Sequence, residues 1–258
     1  MSKAAIETGK YWQFGWKLVE GCTRVSSACK NCWSLAQEKR FGGPPEGQIV
    51  LHPERLNRPL KRRKPASYAI WNDLFHPDVP VKFMQQAFGV MEQATQHIFL
   101  ILTKRPGIMY QRYHPALGGA EHIWLGVTVE EQEYDSRIKE LLKIPAAVRF
   151  VSLEPMLGLI NLRALNVGTN ESPPVFYNSL QTYKGHPGLD WVIVGGETGL
   201  HQRRCDDEWI LSIIRQCDEE NIPVFVKAFP MPDGRISKDM NEWPEWARRR
   251  VFPKCTQK

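Results

Sequence analysis

Long apolar runs are absent from this sequence of 258 residues, and cysteine is scarce, with six residues in the whole chain. No stretch approaches the ~20 consecutive apolar residues that a membrane span needs. The first residues also lack the apolar run of a secretory signal. These absences argue against a membrane protein and against a secreted disulfide framework, and we expect a cytoplasmic protein with no membrane contact.

The composition is that of a chain that folds around a core. Hydrophobic residues make up 42% and charged residues 24% of the sequence, which is too apolar for a disordered protein. The length permits one large domain, such as an α/β barrel, or two small ones. The formal net charge of +6 is compatible with an anionic partner such as nucleic acid.

The densest basic stretch, ERLNRPLKRRKP, spans residues 54–65. It predicts a contact with nucleic acid, because lysine and arginine pair with phosphates. A solvated surface loop is the alternative interpretation. The predicted contact residues are Arg58, Lys61, Arg62 and Arg63.

Short apolar runs rich in β-branched and aromatic residues recur along the chain, with helix-like patterns between them. The predicted strands are residues 67–71, 97–102, 122–129, 148–153, 191–196 and 223–229, with a first strand ending within 16–21. The predicted helices are residues 33–41, 80–95, 131–143 and 207–221. This alternation predicts an α/β fold with a parallel sheet. Most strands are continuously apolar, which favours a full or partial (βα) barrel of about six to eight parallel strands, covered on both faces.

One barrel-like domain is expected to occupy residues 1–230. Within it, the segment 161–190 has no periodicity and is rich in Asn, Gly, Ser and Pro, which predicts an insertion at the rim or a flexible lid. Residues 231–258 are expected to form a basic C-terminal tail that carries tryptophan. The pattern indicates no role for that tail.

Charged or glycine-rich clusters follow almost every predicted strand. The carboxyl ends of parallel strands meet at one edge of an α/β fold, where active sites are built. The pattern therefore predicts a shared site there, with a structural network of ion pairs as the alternative for its charged members. The residues at these strand ends are Asp73, Lys104, Arg105, Glu130, Glu154, Gly195, Gly196, Glu197 and Lys227.

Three of the six cysteines lie within eleven residues, as Cys22, Cys29 and Cys32 in a C-x6-C-x2-C pattern. Cytosolic thiols stay reduced, so clustered cysteines favour a metal site. A structural zinc ion needs four ligands, and His52 and Cys205 are the remote candidates for the fourth. A [4Fe–4S] cluster can use three thiolates and leave one iron open to a small molecule. The position after a predicted strand, at the mouth of the barrel, favours the cluster.

Several ordered motifs resemble a known family. The run GCTRVSSACKNCW is followed by LHPERLNRPLKRRKP, NDLFHPDVP, LTKRP, WLGVTVEEQ, RFVSLEPMLG, DWVIVGGETG and VFVKAF, from about Tyr11 to Phe229. Together they resemble a phage and prophage family of three-cysteine-motif proteins of unknown function. That family resembles a divergent branch of the radical S-adenosylmethionine enzymes. Two features depart from the common pattern of those enzymes: the first cysteine gap has six residues rather than three, and the GGE element follows a late strand.

The resemblance implies an iron–sulfur enzyme. Cys22, Cys29 and Cys32 would hold a [4Fe–4S] cluster whose open iron binds S-adenosylmethionine, and reductive cleavage would generate a 5′-deoxyadenosyl radical. The predicted substrate is a nucleic acid or nucleotide, and a partner protein is compatible with the pattern. The predicted catalytic residues are Lys104, Arg105, Glu154 and Lys227, and the predicted cofactor-binding residues are Asp73, Glu130, Gly195, Gly196 and Glu197. The alternative is a non-enzymatic, zinc-holding module that binds nucleic acid.

Aromatic residues and two further polar residues have simpler interpretations. Trp71, Trp124 and Trp191 lie in predicted strands and are expected in the core, whereas Trp33 follows the last clustered cysteine and is expected to shield the cluster. His76 is expected to be a hydrogen-bonded structural residue rather than an acid–base group. Arg203 is either a substrate contact or a solvated loop residue.

Overall fold

The computed structural model describes residues 6–113, 120–166, 176–183, 185–199 and 201–254. In chain order its strands are β1 (Phe14–Trp16), β2 (Val19–Glu20), β3 (Val50–Leu51), β4 (Ser67–Ile70), β5 (Ile98–Thr103), β6 (Ile123–Thr128), β7 (Val148–Leu153), β8 (Leu165–Asn166), β9 (Phe176–Tyr177), β10 (Trp191–Gly195), β11 (Val224–Pro230) and β12 (Ile236–Ser237). Its α-helices are α1 (Trp33–Phe41), α2 (Val81–Gln93), α3 (Pro106–Arg112), α4 (Ser136–Leu142) and α5 (Asp207–Glu219).

Eight of these strands form one sheet, in the order β1-β4-β5-β6-β7-β10-β11-β12. Its neighbours are parallel throughout, except that β12 runs antiparallel to β11. The mixed α/β fold with a largely parallel sheet is therefore confirmed. The barrel is not closed, because in the described part of the chain the edge strands β1 and β12 are not paired with each other.

Both faces of the sheet are covered, as the continuously apolar strands predict. The larger core lies between the sheet and its helices: α2, for example, buries Met84, Phe88 and Met91 there. A second cluster packs on the other face and includes Leu100, Trp124, Phe150, Trp191 and Phe225.

Gly126 makes room for this second cluster. A Cβ at Gly126 would lie 2.4 Å from atoms of the Phe150 ring. Successive side chains of a strand point to opposite faces. Leu102 and Lys104, which follow Leu100 by two and four residues, therefore lie on the same face as the second cluster. Ser152 and Glu154 follow Phe150 in the same way and also lie on this face, at the carboxyl edge.

The segment after β11 packs against the sheet instead of forming a separate tail. Trp243 is buried, and the Phe252 ring lies 5.2 Å from Trp191 and 5.3 Å from Phe225. Arg250 donates hydrogen bonds to the carbonyl oxygens of residues 6, 7 and 238 at 2.5, 2.9 and 2.7 Å. Residues 231–254 are thus an integral part of the domain.

The segment 161–190 is described only in part, because residues 167–175 and 184 lie outside the described residues. Its strands β8 and β9 form a two-stranded sheet. The side chains of Asn178 and Gln181 donate to Glu220, which directly follows α5. Because that end of α5 leads into the start of β11, residues 178 and 181 lie at the amino edge of the sheet, whereas the backbone N–H of Asn161 donates to Gln132, just beyond the carboxyl end of β6.

None of the described helices is both long and apolar enough to cross a lipid bilayer.

Candidate functional site

A cavity of about 290 Å³ opens at the carboxyl edge of the parallel strands. Its walls come from the cysteine loop (residues 21–33) and from residues at or just beyond the ends of β4, β5, β6, β7, β10 and β11. The volume is close to the lower end of the range for small-molecule sites, which is roughly 300 to 1,000 Å³. The sequence predicts a shared site at this edge, and the cavity lies there.

All three clustered cysteines border this cavity. Cys22, Cys29 and Cys32 are free thiols, and a 3₁₀ turn over Ser27–Asn31 carries the second of them. The backbone N–H of Cys32 donates to the carbonyl oxygen of Cys29 at 3.4 Å, and α1 begins at the next residue. The turn therefore places Cys29 and Cys32 at the cavity wall, and Cys22 reaches the wall from the start of the loop.

The pKa values of Cys22 and Cys29 are shifted in opposite directions. Burial raises the pKa of Cys22, and the positive charge of Arg105 offsets only part of that effect. Burial also acts to raise the pKa of Cys29, but hydrogen bonds from Val25 and Ser26 outweigh it and leave this pKa below its ordinary value. The surroundings of Cys29 therefore favour its thiolate more than those of Cys22 do.

The side chains do not form a ready-made metal site. Within the described ranges, no group of three or more His, Cys, Asp or Glu side chains is arranged to hold a metal ion. The two predicted fourth ligands do not border the cavity: His52 pairs with Glu20 and Glu54 at 2.9 Å each, and Cys205 is buried behind Gly196 of the cavity wall. The three thiols share a cavity without a fourth protein ligand from this pair.

Arg105 and Asp73 hold the start of the cysteine loop. Arg105 donates to Asp73 at 2.5 Å and to the carbonyl and hydroxyl oxygens of Thr23 at 2.9 and 2.8 Å. The same guanidinium lies 3.8 Å from the Cys22 sulfur. Thr103 adds a hydrogen bond to Asp73 at 2.7 Å. Arg105 was predicted to be catalytic and Asp73 to bind the cofactor. In the structure the hydrogen bonds of both side chains hold the cysteine loop.

Glu130 holds the middle of the loop. It is fully buried, accepts a hydrogen bond from the Ser26 hydroxyl, and pairs with Arg137 at 2.7 Å. Lys104 approaches the same carboxylate at 3.7 Å. Glu130 was predicted to bind the cofactor, but it does not line the cavity and lies behind the cysteine loop.

Glu197 holds the end of the loop. Its carboxylate accepts hydrogen bonds from the Asn31 amide at 3.0 Å and from Arg203 at 2.8 Å, and Arg203 also donates to the Ser27 carbonyl at 3.0 Å. Burial acts to raise the pKa of Glu197, but the hydrogen bonds from Arg203 and Asn31 lower it overall. Glu197 and Gly196 border the cavity, whereas Gly195 lies beneath its wall, packed against Ala228. Arg203 is a loop anchor rather than a solvated residue.

Another set of side chains faces the open space. Lys227 pairs with Glu154 at 3.0 Å, and Ser152 donates to Glu154 at 3.1 Å. Lys104 also borders the cavity, at the end of β5. Tyr11, which the sequence analysis missed, is buried beside this group, and burial together with the charge of Glu154 raises its pKa well above the ordinary value.

The tryptophans divide between the core and the cavity mouth. Trp124 and Trp191 are buried, as predicted. Trp71 is only partly buried and lines the cavity, because it stands just beyond the end of β4. Trp33 is 56% exposed, so it forms part of the mouth and leaves its outer face open to solvent.

His76 has the structural surroundings that were expected. Its ring is buried, and Nε2 shares a hydrogen bond with the Thr23 hydroxyl at 2.9 Å. Burial lowers the pKa of His76, and the charge of Arg105 adds to this effect. The lowered pKa favours the neutral form of His76, and its hydrogen bond to Thr23 supports the cysteine loop.

One family profile matches most of this chain. A family profile described as "Protein of unknown function (DUF5131)" matches residues 7–242. This chain belongs to the DUF5131 family. No curated protein and no solved structure shows a significant match.

The region matched by DUF5131 contains the whole cavity. It includes the cysteine loop, every strand of the main sheet and every residue of the cavity wall. It ends at residue 242, before Arg250 and Phe252. The family description itself assigns no activity.

The predicted nucleic-acid contacts lie at the other edge of the sheet. Arg58, Lys61, Arg62 and Arg63 precede β4, and none of them borders the cavity. The Arg62 guanidinium lies 4.7 Å from the ring of Phe14, the first residue of β1. Arg62 therefore lies at the amino edge, whereas Arg55, near the start of the same stretch, donates to the carbonyl oxygen of Lys17, just beyond the carboxyl end of β1.

Proposed function

We propose that this chain is an S-adenosylmethionine-dependent radical enzyme with an incomplete, radical-SAM-like (βα) barrel, and that Cys22, Cys29 and Cys32 hold its [4Fe–4S] cluster. The observation that carries the proposal is that all three thiols border one cavity at the carboxyl edge of the sheet. No other cysteine of the described residues borders it. Three thiolates leave one iron of such a cluster open to a small molecule.

The donor set fits the group. Thiolates are the protein ligands of iron–sulfur clusters, and the three thiols here are free of disulfides. The loop that carries them is held by hydrogen bonds to Asp73-linked Arg105, to Glu130 and to Glu197, which come from three different strand ends. Because the thiols are not arranged around a single ion, we expect the loop to close as the cluster assembles.

The side chains of the cavity have separable roles in this proposal. When bound, the cluster and S-adenosylmethionine supply the radical chemistry, which belongs to the cofactors. Glu154 offers a carboxylate to an ammonium group or to ribose hydroxyls. Lys104 and Lys227 offer charge-assisted hydrogen bonds to a carboxylate or phosphate. The apolar cluster below, with Phe150 and Leu100, keeps the base of the cavity dry.

Anaerobic purification with metal and sulfide analysis tests the proposal. We expect about four irons and four sulfides per chain, a brown colour, and 5′-deoxyadenosine after reduction in the presence of S-adenosylmethionine. Cys29→Ala should lose both the iron and the product. Cys217→Ala is the matched control, because this cysteine is a buried residue of α5 and does not border the cavity. It should retain both.

One outcome separates this proposal from its rival. A colourless protein with one zinc per chain and no cleavage of S-adenosylmethionine would contradict the radical enzyme. That result would favour the zinc-holding, nucleic-acid-binding module.

A further inference from the structure

Two exposed apolar side chains lie at the mouth of the cavity. Trp33 is 56% exposed and Val25 is 40% exposed, and both belong to the cysteine loop. An indole left this open is unusual, since tryptophan is highly buried on average. An exposed indole beside a concave site indicates a contact surface for a ligand rather than a core position.

The structure fixes the ring next to Trp33. The ring centroids of Trp33 and Trp71 lie 5.3 Å apart, with an angle of 82° between their planes. Trp71 rests on the backbone of β1, where Gly15 has no side chain: a Cβ at Gly15 would lie 2.2 Å from the indole nitrogen. This near-perpendicular contact therefore supports Trp33 on one side and leaves a face of Trp33 available.

Cationic side chains border the same cavity. Lys227 borders the cavity, and its ammonium is 5.6 Å from the ring of Trp12, which also lines the wall. Lys104 borders the cavity as well. An aromatic face with cations within reach matches a ligand that has a planar ring and a negative charge.

We infer that the substrate is a nucleobase that carries a phosphate, either in a single strand of nucleic acid or as a free nucleotide, and that its base stacks on Trp33. This inference rests on the proposed function and names its substrate class. The inferred contact with nucleic acid is therefore at the cavity mouth and not at the residues predicted from the sequence, which are Arg58, Lys61, Arg62 and Arg63. Every nucleobase has a π face, so stacking of this kind tolerates sequence differences.

Fluorescence anisotropy with labelled single-stranded DNA and RNA oligonucleotides tests the inference on the full chain. Trp33→Ala should raise the Kd by about tenfold, because base–aromatic stacking contributes roughly 1 to 3 kcal/mol per base. Trp33→Phe should recover most of the affinity, since it restores an aromatic face. Tyr110→Ala is the matched control, because Tyr110 is 52% exposed and lies outside the cavity wall, and it should bind like the wild type.

Competition distinguishes the two sources of the base. If nucleoside monophosphates displace the labelled strand at comparable concentrations, the site takes a free nucleotide; if only oligonucleotides do, it takes a single strand. The inference is overturned if wild type binds neither, or if Trp33→Ala binds as tightly as wild type. Iron analysis of the same preparations separates the two proposals: a Trp33 effect in protein that binds no iron would sink the proposed enzyme and leave the stacking site standing.

Discussion

Residues of the same charge near the carboxyl edge of the sheet have different surroundings in this protein. Lys227 stands at the cavity with Glu154, whereas Arg105 is turned into the cysteine loop. The sequence could not distinguish them, because the partners of the buried groups are remote. Thr23 lies 82 residues before Arg105, and Ser26 lies 104 residues before Glu130.

Replacement of Arg105 tests its role in holding the loop. Arg105 and Asp73 are both buried, with side chains 8% and 9% exposed. Arg105→Met should lower the free energy of unfolding by about 3 to 5 kcal/mol, because it leaves the carboxylate of Asp73 buried without its partner. Urea unfolding followed by circular dichroism measures the change.

An exposed ion pair gives the control for that variant. Arg24 pairs with Glu46 at 2.7 Å, and both side chains are about half exposed. Arg24→Met should therefore change the free energy of unfolding by no more than about 1 kcal/mol. Equal effects of the two substitutions would show that Arg105 is not a buried anchor.

At the scale of elements, the strand predictions agree closely with the structure. Residues 148–153 match β7, and residues 97–102 match β5 to within one residue. The predicted helix 131–143 is instead a 3₁₀ turn over Gln132–Tyr134 followed by α4. Helix α3 was missed, because its seven residues are too few for a clear period.

The entry to the cysteine loop depends on one glycine. Gly21 has φ of +85°, and a Cβ there would lie 1.9 Å from the carbonyl oxygen of Gln48. Its N–H donates to Glu38 at 2.9 Å. Both the left-handed backbone and the close approach of a second chain segment exclude a side chain at this position.

Two glycine substitutions separate these effects. Gly234 has φ of +86°, and a Cβ there would meet nothing within 4 Å, so Gly234→Ala should cost only the roughly 1 to 2 kcal/mol of the left-handed conformation. Gly21→Ala adds the clash and should cost more, with a lower melting temperature and loss of iron binding. Equal melting temperatures for the two variants would contradict the close approach.

At the scale of the whole molecule, the two ends of the described chain are joined across the sheet. Arg250 donates to carbonyl oxygens of residues 6 and 7, and its guanidinium lies 4.9 Å from the ring of Trp243. The Trp191 indole donates to the carbonyl of Val251 at 2.8 Å. The segment after β11 therefore packs on the face of the sheet that carries the second cluster.

Removal of the Arg250 guanidinium tests this coupling. Arg250→Ala should lower the free energy of unfolding by about 2 to 3 kcal/mol, since hydrogen bonds to a charged group contribute roughly 1.5 to 3 kcal/mol. Thermal unfolding measures the loss. Arg204→Ala is the control, because its side chain is 88% exposed, and it should unfold like the wild type. An unchanged melting temperature for Arg250→Ala would mean that the segment is dispensable.

The sequence by itself determined the parallel α/β sheet, its two covered faces, and the position of three cysteines beside its carboxyl edge. These features depend on the spacing of apolar residues and on the residue types directly after each strand, which are local properties. Only the tertiary structure decided which charges hold the cysteine loop, which face the cavity, and that Arg58, Lys61, Arg62 and Arg63 lie outside the cavity wall. Those outcomes depend on pairings between residues far apart in the chain, and the folded sheet alone brings such residues within hydrogen-bonding distance.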